Sequence, residues 1–454
     1  MPKETARNTP DTVTRREVIG TAVLGATAMM TGSSAAQTPS RTGPNILFIL
    51  ADDLGYGDLS CYGRPDYRTP VLDAFAAQGM KFMSAYSAAP VCTPTRVAFN
   101  TGRYPQRLEV GLKEPLQAQD RALKIGLPPD HPTIASLLKN SGYSTSLVGK
   151  WHMGWDPEFG PNRHGFEEFF GILSGAADYF THRSSDAAGL DLYENLKPSE
   201  RVGYLTDLFT ERAIEFIGRK HTKPFFLSLN YTAPHAPWEG PDDKAMQHED
   251  HGPGPMTNGG SLGTFAAMMK SMDTGIGRVL AALKKSGLER DTLVIFTSDN
   301  GGERYSYNWP FAFRKMFLWE GGLRVPAMVR WPGRIRPGQV TEQAAATMDW
   351  TATILGVAGA AADPKYPLDG DDLTPFLTGA RPAYDRTLFF RIRTQDAMRS
   401  GRWKYLKEGD QEHLFDIVAD PGEHSDLRLA NQEMFEKLRA EFAAWNARML
   451  PKPR

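Results

Sequence analysis

Asn45-Ile46-Leu47-Phe48-Ile49-Leu50, followed by Asp52-Asp53, is a short, uninterrupted apolar run that ends in two carboxylates. Three further runs share this shape. Ser144-Thr145-Ser146-Leu147-Val148 ends in Gly149-Lys150-Trp151-His152, and Lys223-Pro224-Phe225-Phe226-Leu227-Ser228-Leu229 leads to Ala233-Pro234-His235. Thr292-Leu293-Val294-Ile295-Phe296-Thr297 ends in Asp299-Asn300-Gly301. Continuous runs of this length, as opposed to alternating ones, suit strands of a parallel sheet buried on both faces. Helical patterns separate them over Pro132 to Ser141, Leu205 to Gly218 and Phe265 to Leu283, the last with a clear apolar stripe. The alternation predicts an α/β fold with a mostly parallel central sheet flanked by helices. Such sheets bind ligands outside the carboxyl ends of their strands, so all four polar clusters are expected at one edge.

After Thr378-Gly379-Ala380-Arg381-Pro382 the pattern changes to short alternating strands at Leu388 to Ile392, Ala397 to Met398 with Trp403 to Leu406, and His413 to Ile417, then a helix from about Asn431 to Met449. This reads as a smaller C-terminal antiparallel α+β subdomain, residues 385–454, beside a catalytic domain, residues 37–384. The stretch Gly240 to Gly263, dense in Gly, Pro, Asp and His, reads as a long loop able to rim a cleft.

The chain has 454 residues, 41% of them hydrophobic and 23% charged, with a formal net charge of −1 from 52 basic and 53 acidic side chains. No long like-charge run points to nucleic acid or an anionic membrane surface as partner. Two cysteines allow at most one disulfide. Thr14-Arg15-Arg16-Glu17-Val18, the small apolar run Ile19 to Met30 and Ser34-Ala35-Ala36 have the order of a signal peptide over residues 1–36. The paired arginines suit the twin-arginine export machinery. The apolar run is too short for comfortable bilayer spanning, so a periplasmic or secreted protein without stable membrane insertion is expected.

Asp52, Asp53, Asp299 and Asn300 offer only oxygen ligands, at two strand ends that parallel topology can bring together; such a set suits Ca²⁺ or Mg²⁺ better than zinc. Arg96, Lys150, His152, His235 and Lys315 form a positive set able to neutralise an anionic group and move protons. Cys92, in Pro90-Val91-Cys92-Thr93-Pro94-Thr95-Arg96, sits where Pro94 suits a first helical turn and Gly102 a helix stop. On spacing alone it is either a small buried hydrophobe or a reactive group at a helix mouth.

Six motifs in order settle between these. Asp52-Asp53-Leu54-Gly55-Tyr56-Gly57-Asp58, Cys92-Thr93-Pro94-Thr95-Arg96, Gly149-Lys150-Trp151-His152, Ala233-Pro234-His235, Ser298-Asp299-Asn300-Gly301-Gly302 and Lys315 with Glu320-Gly321-Gly322 resemble the motif set of the type I arylsulfatases, within the alkaline phosphatase superfamily. The match extends to Leu414-Phe415-Asp416 and Asp420-Pro421-Gly422-Glu423. The resemblance implies an alkaline-phosphatase-like fold and hydrolysis of sulfate esters. It implies that a formylglycine-generating enzyme oxidises Cys92 to formylglycine, hydrated at rest, and that calcium, with magnesium as second choice, sits beside it on Asp52, Asp53, Cys92, Asp299 and Asn300.

By the same matching, Arg96 and Lys150 hold the hydrated formylglycine, and Asp299 helps deprotonate the attacking hydroxyl. Lys150, Lys315 and His235 grip sulfate, with His235 or Lys315 protonating the leaving alcohol, and His152 accepts the proton of the second hydroxyl. Thr95 stands where many members carry serine, and Ser174 falls near a further family position. A segment from Gly171 through Asp178-Tyr179-Phe180-Thr181-His182 is similar to one in sulfatases of amino sugars. With Trp155, Trp238 and Trp309 as possible ring-stacking groups, it makes a sulfated saccharide the preferred substrate class, ahead of other sulfated small molecules. A phosphate mono- or diester hydrolase of the same superfamily and a non-catalytic glycan-binding relative are the alternatives.

Overall fold

In the computed structural model, the residues described are 43–184, 189–243 and 259–453. The expected export segment and most of the 240–263 loop lie outside them.

All four apolar runs form neighbouring parallel strands. Thr292–Ser298, Asn45–Ala51, Phe225–Asn230 and Ser144–Gly149 lie side by side in that order, and Glu168–Ile172 extends the parallel set. Among the described residues they form the centre of a ten-stranded sheet. Its antiparallel pairings are peripheral: Ala327–Arg330 against Thr292–Ser298 on one side, and Leu192–Glu194 against Glu168–Ile172 on the other.

The uninterrupted apolar character follows from cover on both faces. Leu47, Ile49 and Ala51 point into a core shared with Pro70–Ala77, Leu205–Gly218 and Leu262–Lys285, while Ile46, Phe48 and Leu50 point into a core shared with Cys92–Thr101, Ile134–Asn140 and Thr347–Ala358. Phe48 stacks on Phe99 at 3.9 Å between centroids, fastening the helix that carries Cys92 to the central strand. Fully burying a side chain of this size contributes about 1.5–3 kcal/mol. The expected helix from Phe265 to Leu283 is longer at both ends, and its earlier start is set by Ser261, whose hydroxyl caps it by accepting from the Thr264 N–H. Leu262 and Gly263 therefore belong to that helix and not to the preceding loop.

Four antiparallel strands, Thr387–Arg391, Gln395–Ser400, Trp403–Glu408 and Gln411–Asp416, form a separate sheet, with Gln432–Asn446 as the helix packed on it. Its buried side chains Leu388, Phe390, Leu406 and Phe415 share one apolar cluster with Tyr86, Leu318 and Leu323. This contact sets the antiparallel sheet directly behind the segment that bears Lys315. Cys61 and Cys92 are both free, and no described helix is long and apolar enough to cross a membrane.

Candidate active site

Cys92 opens the helix Cys92–Thr101, directly after the extended Val91, and Gly102 ends it in a left-handed conformation (φ 68°). Every residue of that helix is buried. The Thr95 hydroxyl donates to Ala89 O at 2.9 Å and accepts from Ala89 N at 3.2 Å, closing the turn ahead of Cys92. A serine hydroxyl could do the same, so the threonine at this position keeps the local chemistry. Thr93 Oγ1 donates to His152 O at 3.2 Å, which ties the helix start to the loop after the Ser144–Gly149 strand.

The strand ends converge as the topology requires. Lys150 Nζ donates to Asp52 Oδ2 at 2.6 Å. Arg96 donates from Nε and Nη2 to Asp299 Oδ2 at 3.1 and 2.8 Å, and from Nη1 to Lys150 O at 3.0 Å. Asn300 Nδ2 donates to Asp53 Oδ1 at 2.7 Å. Lys315 Nζ reaches Asp53 Oδ2 at 2.8 Å and His235 Nε2 at 3.2 Å. Cys92 faces this cluster, with Lys150, Lys315, Asp299 and Asp52 acting on its thiol. Lys150, Asp52 and Asp299 are sealed from solvent, whereas the side chains of Lys315 and His235 keep 11% and 15% exposure, so the site opens on their side. Asp53 (φ 63°) and His152 (φ 57°) hold left-handed backbones that cost non-glycine residues free energy and persist where the surroundings impose them.

Hydrogen bonding assigns the histidine tautomers. His152 Nε2 lies 2.9 Å from Leu116 O, which can only accept, so Nε2 carries the proton and the buried Nδ1 is an acceptor without a partner among the described residues. Burial, then the charge of Lys150, holds His152 well below its ordinary pKa and therefore neutral. His235 Nδ1 donates to Ala236 O at 2.6 Å, leaving Nε2 to accept from Lys315. Burial lowers His235 to about 4. Although burial opposes both charges, Asp53 is held well below the usual carboxylate range by Lys315, and Lys315 is raised by Asp53. Burial and the neighbouring Asp52 push Asp299 up to about 6. Burial also raises the Cys92 thiol, so its thiolate is disfavoured despite the nearby lysines.

The residues fit a hard cation. Asp52 Oδ1 and Asn300 Oδ1 are buried and accept no hydrogen bond from the described residues, and Arg96 Nη2 stands off Asp52 Oδ1 at 3.6 Å. Asp52, Asp53 and His235 each offer an atom within 4.8 Å of the others. Unpaired oxygen acceptors sunk among carboxylates are the donors that calcium takes.

The candidate catalytic and metal-binding residues are thus in one place: Asp52, Asp53, Cys92, Arg96, Lys150, His152, His235, Asp299, Asn300 and Lys315. Ser174 is not among them. It is fully buried, with its hydroxyl 2.5 Å from Asp191 Oδ2 and 2.9 Å from Ala176 O, which makes it a strut of the backbone that His152 N reaches at Leu173 O. Trp155 and Trp238 are buried as well, at 8% and 4% exposure, and cannot offer a face to a sugar; Trp309, at 62%, can. Sequence reasoning missed Asn230, whose Nδ2 and backbone O bond Lys150 O and N at 3.1 and 2.9 Å. Its signal was present, as a polar residue ending an apolar strand. It also missed Leu116 O, a backbone group that no side-chain pattern reveals.

A sheet of this topology, with a residue at a helix mouth set between oxygen ligands and three buried cations, defines a hydrolase for esters of tetrahedral anions. Comparison with known proteins narrows the class. The Sulfatase family matches residues 44–360, and the family described as N-sulphoglucosamine sulphohydrolase, C-terminal, matches residues 307–446. Human N-acetylgalactosamine-6-sulfatase is 34% identical, covering 90% of this chain and 85% of that protein. Mouse steryl-sulfatase is 31% identical over 95% of this chain and 87% of that protein. The crystal structure of Ps i-CgsB in complex with k-i-k-neocarrahexaose superposes with a TM-score of 0.78 at 32% identity, covering 89% of this chain and 92% of that one. The chain belongs to the sulfatase family and is a type I sulfatase of the alkaline phosphatase superfamily, a sulfuric ester hydrolase.

Proposed function

We propose that the protein hydrolyses sulfate esters of a carbohydrate, using Cys92 after its conversion to formylglycine, with Ca²⁺ on Asp52, Asp53, Asp299 and Asn300. One observation carries the reading: a buried thiol with a raised pKa, a poor nucleophile as cysteine, lies among unpaired oxygen donors and buried cations. Hydrated formylglycine would supply one hydroxyl for attack and a second for release of sulfate, and calcium would add the Lewis acidity that the carboxylates cannot.

The chain's own residues divide the proton work. Asp299, with its raised pKa, accepts a proton from the attacking hydroxyl, and His152 Nδ1 is the acceptor for the other. Lys315 is the proton donor to the leaving alcohol, because His235 is neutral and its only N–H is engaged with Ala236 O. Lys150 and Lys315 hold the anionic group, and Arg96 orients Asp299. The carbohydrate preference is supported by relatives whose names specify sulfated sugars. The pattern at Arg15-Arg16 supports export to the periplasm or beyond after maturation.

The test is to express the chain with and without a formylglycine-generating enzyme, weigh the Cys92 peptide, and measure sulfate release. Activity tracking the aldehyde, and lost with Cys92→Ser, is the expected result. Full turnover by unmodified thiol, or a kcat/KM on aryl phosphate exceeding that on aryl sulfate, would overturn it.

A further inference from the structure

Lys315 belongs to a segment whose neighbours are large, apolar and exposed. Phe313 is 51% and Met316 44% exposed, and both hold left-handed backbones, with φ of 61° and 77°. Conformations that disfavour large side chains, combined with exposure of those side chains, mark a place where packing does not explain the residues. The segment is pinned to both walls of the site: Lys315 N donates to Gly302 O at 3.1 Å, just past Asn300, and Met316 N donates to Pro90 O at 2.9 Å, just before Cys92.

From Phe313 the rings continue away from the site. Phe313 lies 4.7 Å from Trp319 and 5.0 Å from Phe317, and Trp319 lies 6.2 Å from His413 on the antiparallel sheet. Phe317, Trp319 and His413 are all partly exposed. Arg314, exposed and without an ion pair among the described residues, stands beside the start of this strip. Aromatic faces accept the C–H faces of sugar rings, and an unpaired cation suits a chain bearing repeated sulfates.

We propose that Phe313, Phe317, Trp319 and His413 form a track that binds the sugar residues next to the sulfated one, so that the enzyme reads an oligosaccharide and not a lone sulfated ring. A single flat aglycone, held at the sulfate itself, would have no use for such a strip; one that runs on for two ring-to-ring steps, with a cation at its start, fits a polyanionic saccharide chain. The inference rests on the carbohydrate reading of the active site.

The test uses matured, calcium-loaded enzyme with three probes: 4-methylumbelliferyl sulfate, a sulfated monosaccharide, and sulfated oligosaccharides of increasing length. Phe313→Ala should raise KM for the oligosaccharides about tenfold with kcat unchanged, and leave kcat/KM on the aryl ester as it was. Phe313→Tyr should restore the oligosaccharide KM, and His413→Ala should matter only for the longer chains. Equal effects of Phe313→Ala on all substrates, or none on any, overturn the track while leaving the sulfatase reading intact. Wild-type enzyme that cleaves the aryl ester and no saccharide overturns the carbohydrate reading, and the track with it.

Discussion

Two buried ionic clusters lie within a few residues of each other along the chain, and they are built to different ends. In the one behind the Lys315 segment, Lys404 Nζ sits 3.0 Å from Glu320 Oε1 and 2.7 Å from Glu423 Oε1. Glu320 Oε2 accepts from Tyr86 OH at 2.7 Å and pairs with Arg324 Nε at 3.0 Å, and Glu423 Oε2 accepts from Glu320 N at 2.7 Å. Three of the four carboxylate oxygens accept a hydrogen bond, and the fourth, Glu423 Oε1, is held by the Lys404 ammonium. In the cluster around Cys92, Asp52 Oδ1, Asn300 Oδ1 and His152 Nδ1 have no hydrogen-bond donor among the described residues. A closed cluster holds a fold together; a cluster of the same burial with vacant acceptors is arranged for something that arrives later.

Asp52→Asn breaks the open cluster at its chemistry. We expect kcat/KM on aryl sulfate to fall by about 10²–10³-fold or more, together with a lower unfolding midpoint, because the buried Lys150 loses the charge it faces. Chelation of wild-type enzyme should give the same loss of activity, reversed by added Ca²⁺. Lys404→Met acts on folding alone. It leaves Glu320 and Glu423 buried against each other with a cation removed, and should destabilise the protein by about 3–5 kcal/mol in denaturant unfolding.

Glu423→Gln sharpens the contrast through pH. Burial and, secondarily, the like charge of Glu320 push Glu423 up to about 7 from 4.5, against the lowering effect of Lys404. Between these values the folded state binds more proton than the unfolded one, so this group's contribution to stability falls as pH rises from about 4.5 to about 7. Stability curves across that range should lose this slope in the Gln variant, which should be the more stable protein above pH 7. Gln395→Ala is the mildest change. Gln395 Oε1 accepts from Leu318 N at 2.6 Å, three residues past Lys315. Its loss should cost about 1 kcal/mol and raise KM for sulfate esters several-fold; an unchanged KM would show that the antiparallel sheet does not position Lys315.

Most of the open cluster was legible in the sequence because its side chains follow continuous apolar strands or lie in the first turns of a helix, so local pattern and sheet topology together locate them; Lys315, in a loop, was placed by the motif resemblance. The closed cluster was not legible. Glu320, Lys404 and Glu423 come from a short helix, a strand and a turn, and each alone looks like a surface charge; only the long-range contact of the C-terminal sheet with Tyr86, Leu318 and Leu323 buries them. Trp155 and Trp238 show the same limit, since an indole in a loop looks alike whether its face meets solvent or the core. The start of the Leu262–Lys285 helix was displaced because Gly263 reads as a loop residue, while the cap at Ser261 overrides that weak preference.

The burial of Cys92 has a consequence for timing. At 1% exposure, inside a helix with no exposed residue, its sulfur is out of reach of any second protein once the chain has folded. The proposed oxidation of Cys92 would therefore compete with folding and not with catalysis. On that reading each newly made chain would have one window in which to become an enzyme, and a chain that folded too soon would keep its thiol.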